Sequence, residues 1–256
     1  MRRRDFIKAV GGAGVWPFTT QAQQRERTPD EIYELDLRHR AATNEPITER
    51  HDRFMRAMAR YAPPWGLKGL EIPPAREVAP GDLSAVVRLR GLSPMGEMSY
   101  VHYPFRSEKY LRDKAQYDDY AIIVFQPAAA ADRLRELFDD VLPAYVEAFD
   151  CYRATVFDSD IRLADWSRVV ELANSTGKDV DGRDGAYRIH PASFWDRELC
   201  RRAFGLAPET IVERLQGKVE KVSKLGDGVL LVCDSRIPLP REEYEALDAR
   251  VRPLLK

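Results

Sequence analysis

Residues 120–157 constrain the fold more than any other part of the chain. Within them, Leu134, Leu137, Phe138, Val141, Leu142, Tyr145, Val146 and Phe149 recur at helical spacing and share one face. A helix with so wide an apolar face has to be covered by another layer. Apolar runs of strand length flank it at 120–125 and 152–157, so the whole stretch reads as a β-α-β unit. Asp132 is expected to cap the helix. Pro143 is expected to kink or divide it, because proline lacks a backbone donor and crowds the preceding turn.

The remaining pattern alternates between helix and strand. Residues 47–61 read as a helix, with Phe54, Met55, Met58 and Tyr61 three and four apart, ended by Ala62-Pro63-Pro64-Trp65-Gly66. Residues 84–90 and 97–105 read as a hairpin around a turn-rich stretch at 91–96. Residues 163–172 look helical, 186–189 extended, and 196–204 and 209–216 like two short helices. Gly226-Asp227-Gly228 joins a second hairpin of 218–225 and 229–233, and 242–254 closes the chain as a helix. Residues 23–46 are polar and charged, and Thr28-Pro29-Asp30 reads as a helix start. This order predicts an α+β fold: a mixed, partly antiparallel sheet packed against amphipathic helices, with one β-α-β unit and a C-terminal hairpin followed by a helix. The fold spans 23–256, as one domain or as two subdomains joined near 158–185.

The N-terminus speaks to location. Arg2, Arg3, Arg4 and Lys8 precede a weakly apolar, Gly-rich stretch at 9–18, and small and polar residues permit cleavage after Ala22. This is the order of a secretory leader. The run Arg3-Arg4-Asp5-Phe6-Ile7-Lys8 resembles the twin-arginine motif, in which Arg3, Arg4, Phe6, Ile7 and Lys8 occupy the characteristic positions. The resemblance covers the first 24 residues or so. It implies recognition by bacterial export machinery and a periplasmic or secreted product, folded before export. The ten-residue apolar stretch is too short for a permanent span of roughly 30 Å of hydrocarbon. Residues 1–22 carry four positive charges and one negative, so the net charge of −1 leaves −4 on the 234 residues that follow. A mildly acidic chain argues against general nucleic-acid binding.

Several fragments fail as catalytic or metal motifs. Ser93 is followed by Pro94 and Met95, where a nucleophile elbow needs Gly two residues after the Ser. Gly177-Lys178-Asp179 lacks the Ser or Thr and the upstream glycine of a phosphate loop. The Asp179, Asp181 and Asp184 run resembles a calcium loop, but Arg183 and His190 stand at its fifth and twelfth positions. His39, His51, His102 and His190 show no paired ligand spacing. Asp118-Asp119 and Asp139-Asp140 are adjacent in sequence without facing one reacting centre. Cys151, Cys200 and Cys233 are widely spaced and read as three buried thiols, with one disulfide as the alternative. No metal or cofactor is expected.

The composition most typical of an interface lies at 100–120. Tyr103, Arg106, Lys109, Tyr110, Arg112 and Tyr117 form a candidate protein-binding surface, since Tyr and Arg are favoured at interface centres. Further on, Phe194-Trp195-Asp196, Leu199-Cys200, Ala203-Phe204-Gly205, Val219, Val222, 228–232 and Pro253-Leu254-Leu255 follow one another in an order that resembles the C-terminal part of immunity proteins paired with bacterial polymorphic or type VI toxins. The resemblance covers some 60 residues and rests mostly on apolar positions. It implies a small α+β protein that binds and blocks one toxin without catalysis, and it carries over no binding residue. Two function classes follow: an exported binding protein of this kind, or a periplasmic enzyme of another family, a hydrolase.

Overall fold

A strand of seven residues, β1 (Tyr33–His39), forms the middle of the molecule. The computed structural model describes residues 31–42, 45, 47–73, 85–92, 98–104 and 117–256. Tyr33, Leu35 and Leu37 point to one face of the sheet and are fully buried, while Glu34, Asp36 and Arg38 point to the other. The charged alternation disguises this strand as a polar connection. Thr28-Pro29-Asp30 lie outside the described residues, and a strand follows them where the sequence suggests a helix.

The other strands among the described residues are β2 (Ala85–Arg88), β3 (Tyr100–Tyr103), β4 (Asp119–Phe125), β5 (Arg153–Asp158), β6 (Ala192–Trp195), β7 (Lys221–Leu225) and β8 (Gly228–Val232). They form one sheet in the order β2-β3-β4-β1-β5-β6-β8-β7, and every neighbouring pair is antiparallel. β4 and β5 both flank β1, with Leu37 opposite Ala121 on one side and Ala154 on the other. The two strands of the β-α-β unit therefore run parallel to each other with β1 inserted between them. This is the α+β class that the sequence predicts. β5 and β6, on either side of residues 159–191, are hydrogen-bonded neighbours in the same sheet.

Helix α1 (Ile47–Met58) and the helical segment of the β-α-β unit cover the face carrying Leu35 and Leu37. That segment is not one helix. A 3-10 turn (Ala128–Arg133) begins after Pro127, so Asp132 lies inside it and does not act as the expected cap. A short helical piece (Leu134–Glu136) and a π turn (Leu137–Val141) follow, and α2 (Leu142–Phe149) carries Pro143 in its first turn. The wide turn, closed by Leu142 N–H donating to Leu137 C=O, comes immediately before the proline that cannot donate. Phe54 of α1 packs 5.2 Å from the Tyr145 ring and 5.0 Å from Phe149, and Trp65 sits edge-on to Phe125 at 4.9 Å. Aromatic pairs at these distances favour edge-on and tilted arrangements.

Strands β5, β6 and β8 are covered on both faces, since every one of their residues is buried, while the edge strand β7 is partly exposed. Helices α4 (Arg197–Phe204), α5 (Pro208–Leu215) and α6 (Arg241–Val251) supply the cover. β6 falls at 192–195 and not at the expected 186–189, because Ala192, Phe194 and Trp195 have strands to pair with on both sides. The β7–β8 turn is Gly226-Asp227, with Gly226 at φ 56°, as a two-residue hairpin requires. Cys151, Cys200 and Cys233 are free and buried, and burial pushes the Cys200 thiol up to about 12. Among the described residues, no helix is long and apolar enough to cross a membrane.

Candidate interaction surface

Helix α3 (Ser159–Thr176) differs from every other helix. Its 18 residues span about 27 Å, yet Ile161 is its one buried residue. Its ends are well specified. Asp158 caps the N-terminus, its carboxylate accepting from Asp160 N–H at 2.8 Å and Ile161 N–H at 3.2 Å. Gly177 closes the C-terminus at φ 68°, in the left-handed region that suits glycine.

Polar contacts hold α3 to the sheet. Ser159 Oγ donates to Glu34 at 2.8 Å, and Arg162 donates to Asp36 at 3.1 Å while its guanidinium lies 4.5 Å from the Phe157 ring centroid. Asp165 accepts a two-pronged bond from Arg188. Burial alone would raise the Asp36 carboxyl, but Arg38 and Arg162 outweigh it and hold it at about 2. Asp36 is thus an ionised anchor shared between the central strand and α3.

The outward side of α3 is apolar. Leu163, Trp166 and Val170 are 50%, 44% and 37% exposed. At 100° per residue they form one stripe, with Ser167 and Asn174 beside it and no charge on it. Asp160 and Glu171 border this ridge on one side, the latter paired with Arg168 at 2.6 Å, and Arg162 borders it on the other, beside Trp166. Three of the five large exposed apolar side chains among the described residues lie on this ridge; Ile72 and Val86 lie elsewhere. The i, i+3, i+7 spacing was legible in the sequence. That Leu163, Trp166 and Val170 stay exposed among the described residues was not.

The surface expected at 100–120 is divided by the structure. Tyr103 is fully buried, its hydroxyl 2.7 Å from His51 Nδ1, so it belongs to the core. The reason is strand alternation: Val101 and Tyr103 face α1, and Tyr100 and His102 face the other way. Tyr117 is half-buried just before β4. Arg106, Lys109, Tyr110 and Arg112 lie outside the described residues, as do the leader residues Arg3, Arg4, Phe6, Ile7 and Lys8. On the far face, Arg38 stacks 4.4 Å from the Tyr120 ring centroid, and His102 meets the same ring edge-on at 4.9 Å. Burial, then Arg38, pushes the His102 imidazole down to about 4, leaving it neutral at pH 7.

Ser93 lies outside the described residues, Asp139, Asp140 and Lys178 are exposed, and the other acidic and histidine groups weighed for chemistry are engaged with partners in the fold. Asp118, just before β4, and Asp119, its first residue, turn to different partners: Asp118 binds Arg183 and accepts from Tyr152 at 2.7 Å, while Asp119 binds the buried Arg50. Asp181 holds Arg153 at 2.8 Å, Asp184 holds Arg202 at 3.0 Å, and Asp179 accepts from the Arg183 N–H at 2.9 Å. His39 pairs with Glu45 at 2.9 Å, and His190 Nδ1 contacts the Tyr244 hydroxyl. Among the described residues, no cluster of three His, Cys, Asp or Glu is arranged to hold a metal ion. A crevice of about 10 Å³ between α3 and the 181–190 segment, lined by Arg162, Trp166, Tyr187 and His190, has room for one water. A hollow of about 300 Å³ beside Lys218, Glu220, Asp234 and Arg236 is open and polar, with Asp234 paired to Arg236 at 2.6 Å.

No protein-family model matches the chain, and no curated protein matches it significantly.

Proposed function

We propose that this chain is an exported, non-catalytic binding protein, an immunity protein that neutralises a bacterial toxin polypeptide, and that the ridge of α3 is the centre of its contact. The observation that carries this reading is the ridge itself. Leu163, Trp166 and Val170 are presented to solvent on a helix held by caps and ion pairs. Tryptophan is enriched among residues that dominate interface energetics, and three apolar side chains form the centre of a contact whose rim is polar. The order of apolar positions in the C-terminal third and the leader-like N-terminus support toxin binding in the periplasm.

The test is co-purification from the periplasm, comparing the wild-type chain with Trp166→Ser and Leu163→Ser. One stoichiometric partner is expected with the wild type. Each variant should bind it at least ten- to thirtyfold more weakly, about 1.4–2 kcal/mol, with an unchanged unfolding midpoint. Undiminished binding by both variants would remove the ridge from the reading. Turnover of an ester or peptide substrate by the purified chain would favour the hydrolase alternative.

A further inference from the structure

His39, the last residue of β1, turns both ring nitrogens toward acceptors. Its Nδ1 lies 2.6 Å from the backbone C=O of Asp150, and its Nε2 lies 2.9 Å from the Glu45 carboxylate. A carbonyl oxygen accepts and never donates, so Nδ1 carries a proton. A neutral imidazole has a single N–H, and these two contacts take two. The second proton belongs on the ring and not on Glu45, because Arg50 binds the same carboxylate oxygen and favours its ionised form.

Charge around the ring points the same way. Among the described residues, the Asp150 carboxylate lies 3.6 Å from Nδ1, and Asp119, opposite His39 on β4, is bound by Arg50. Arg50 is the nearby cation, and it meets the ring through Glu45. The Phe149 ring stands edge-on to the imidazole at 6.5 Å, and burial keeps the Cys151 thiol neutral by pushing it well above its ordinary value. The imidazole is itself buried, so water screens these charges little. The contacts also join three elements: β1, the residue two before α1, and Asp150, which ends α2. Asp150 holds φ 56°, a left-handed conformation that disfavours residues with a side chain, and its carbonyl is the one that His39 holds.

We propose that His39 is an imidazolium in the folded chain at neutral pH and acts as a proton-dependent latch, tying the start of α1 and the end of α2 to the central strand. Loss of the proton as pH rises leaves Nε2 a bare acceptor facing a carboxylate, so an attraction becomes a repulsion. Because folding favours the charged ring, its contribution is complete below the unfolded value of about 6.5 and is lost as pH rises through the higher folded value. The latch is independent of the ridge on α3. The Asp36 anchor of that helix fails toward acid, whereas this latch fails toward alkali.

The experiment follows the histidine rings of the full chain by NMR from about pH 5 to about pH 9, with His39→Gln assigning the His39 signals. Both His39 nitrogens are expected to be protonated at neutral pH, with a titration midpoint above the ordinary histidine value. The other three histidines give the contrast, since burial pushes His51 down, His102 to about 4 and His190 well below its ordinary value. A neutral His39 ring at neutral pH, or a midpoint at or below the ordinary value, would overturn the proposal. Urea unfolding supplies the second readout. The ratio of the folding equilibrium constants of wild type and His39→Gln should be roughly fivefold larger near pH 6 than near pH 9. A ratio that does not change with pH would refute the latch even with a protonated ring. Should His39→Gln fail to fold, the ring titration of the wild-type chain decides alone.

Discussion

Helices α1 and α3 show two ways of holding a helix in place. α1 buries seven of its twelve residues, among them Phe54, Met55 and Met58, whereas α3 buries one of its eighteen. α1 is held by packing against Tyr145 and Phe149. α3 is held by a cap at each end and by ion pairs to Asp36 and Arg188. The difference has a consequence for function. A helix held by burial spends its apolar face on the core, while one held by its ends and by polar contacts leaves an apolar face exposed, the face that the proposed function uses.

The sharpest way to break this contrast is to truncate an aromatic side chain on each helix. Phe54→Ala should cost about 3–5 kcal/mol in urea unfolding, as expected for a fully buried aromatic residue. The same experiment on Trp166→Ser should show a change within about 0.5 kcal/mol, the smallest effect expected here. Comparable losses for the two would mean that α3 is a core helix after all.

Between these extremes, acid should act through Asp36. Its folded carboxyl, at about 2, lies below the unfolded value of 3.8. The depressed value means that its contribution is complete above the unfolded value and is lost as pH falls from about 4 toward 2. Roughly 2 kcal/mol is at stake. The stability gap between wild type and Asp36→Asn should therefore be largest near neutrality and close on acidification. Hydrogen exchange along α3 should rise over the same window, and a gap independent of pH would show that Asp36 is not the ionised anchor.

Removing the cap is the next step down. Asp158→Ala should cost about 1 kcal/mol and raise exchange first at Asp160 and Ile161, whose N–H groups it accepts. Fraying that begins at the Gly177 end instead would place the weak point of α3 elsewhere.

How much of this was legible follows the range of the interaction concerned. The β7–β8 hairpin was legible because Gly226-Asp227 specifies its own turn. The core helix of the β-α-β unit was legible from its apolar spacing, although its first turns are 3-10 and π in form. β1 was not, although Tyr33, Leu35 and Leu37 alternate with Glu34, Asp36 and Arg38. Its three charged residues look like a solvated segment until Arg162 and the strands on either side are in place. Tyr103 misled in the opposite sense: a tyrosine in a Tyr- and Arg-rich stretch suggests an interface, but its strand turns it inward onto His51.

The sequence by itself determined the elements whose causes lie within a few residues: the Gly226-Asp227 turn and the apolar periodicity of the helices. It also determined that 163, 166 and 170 would share one face of a helix. Only the tertiary structure decided that β1 sits between β4 and β5, and that Tyr103 is covered while Trp166 is not. The physical reason is that periodicity states which face is apolar. Whether that face is covered depends on segments that can be more than a hundred residues away, such as Tyr33 and its partner Asp158.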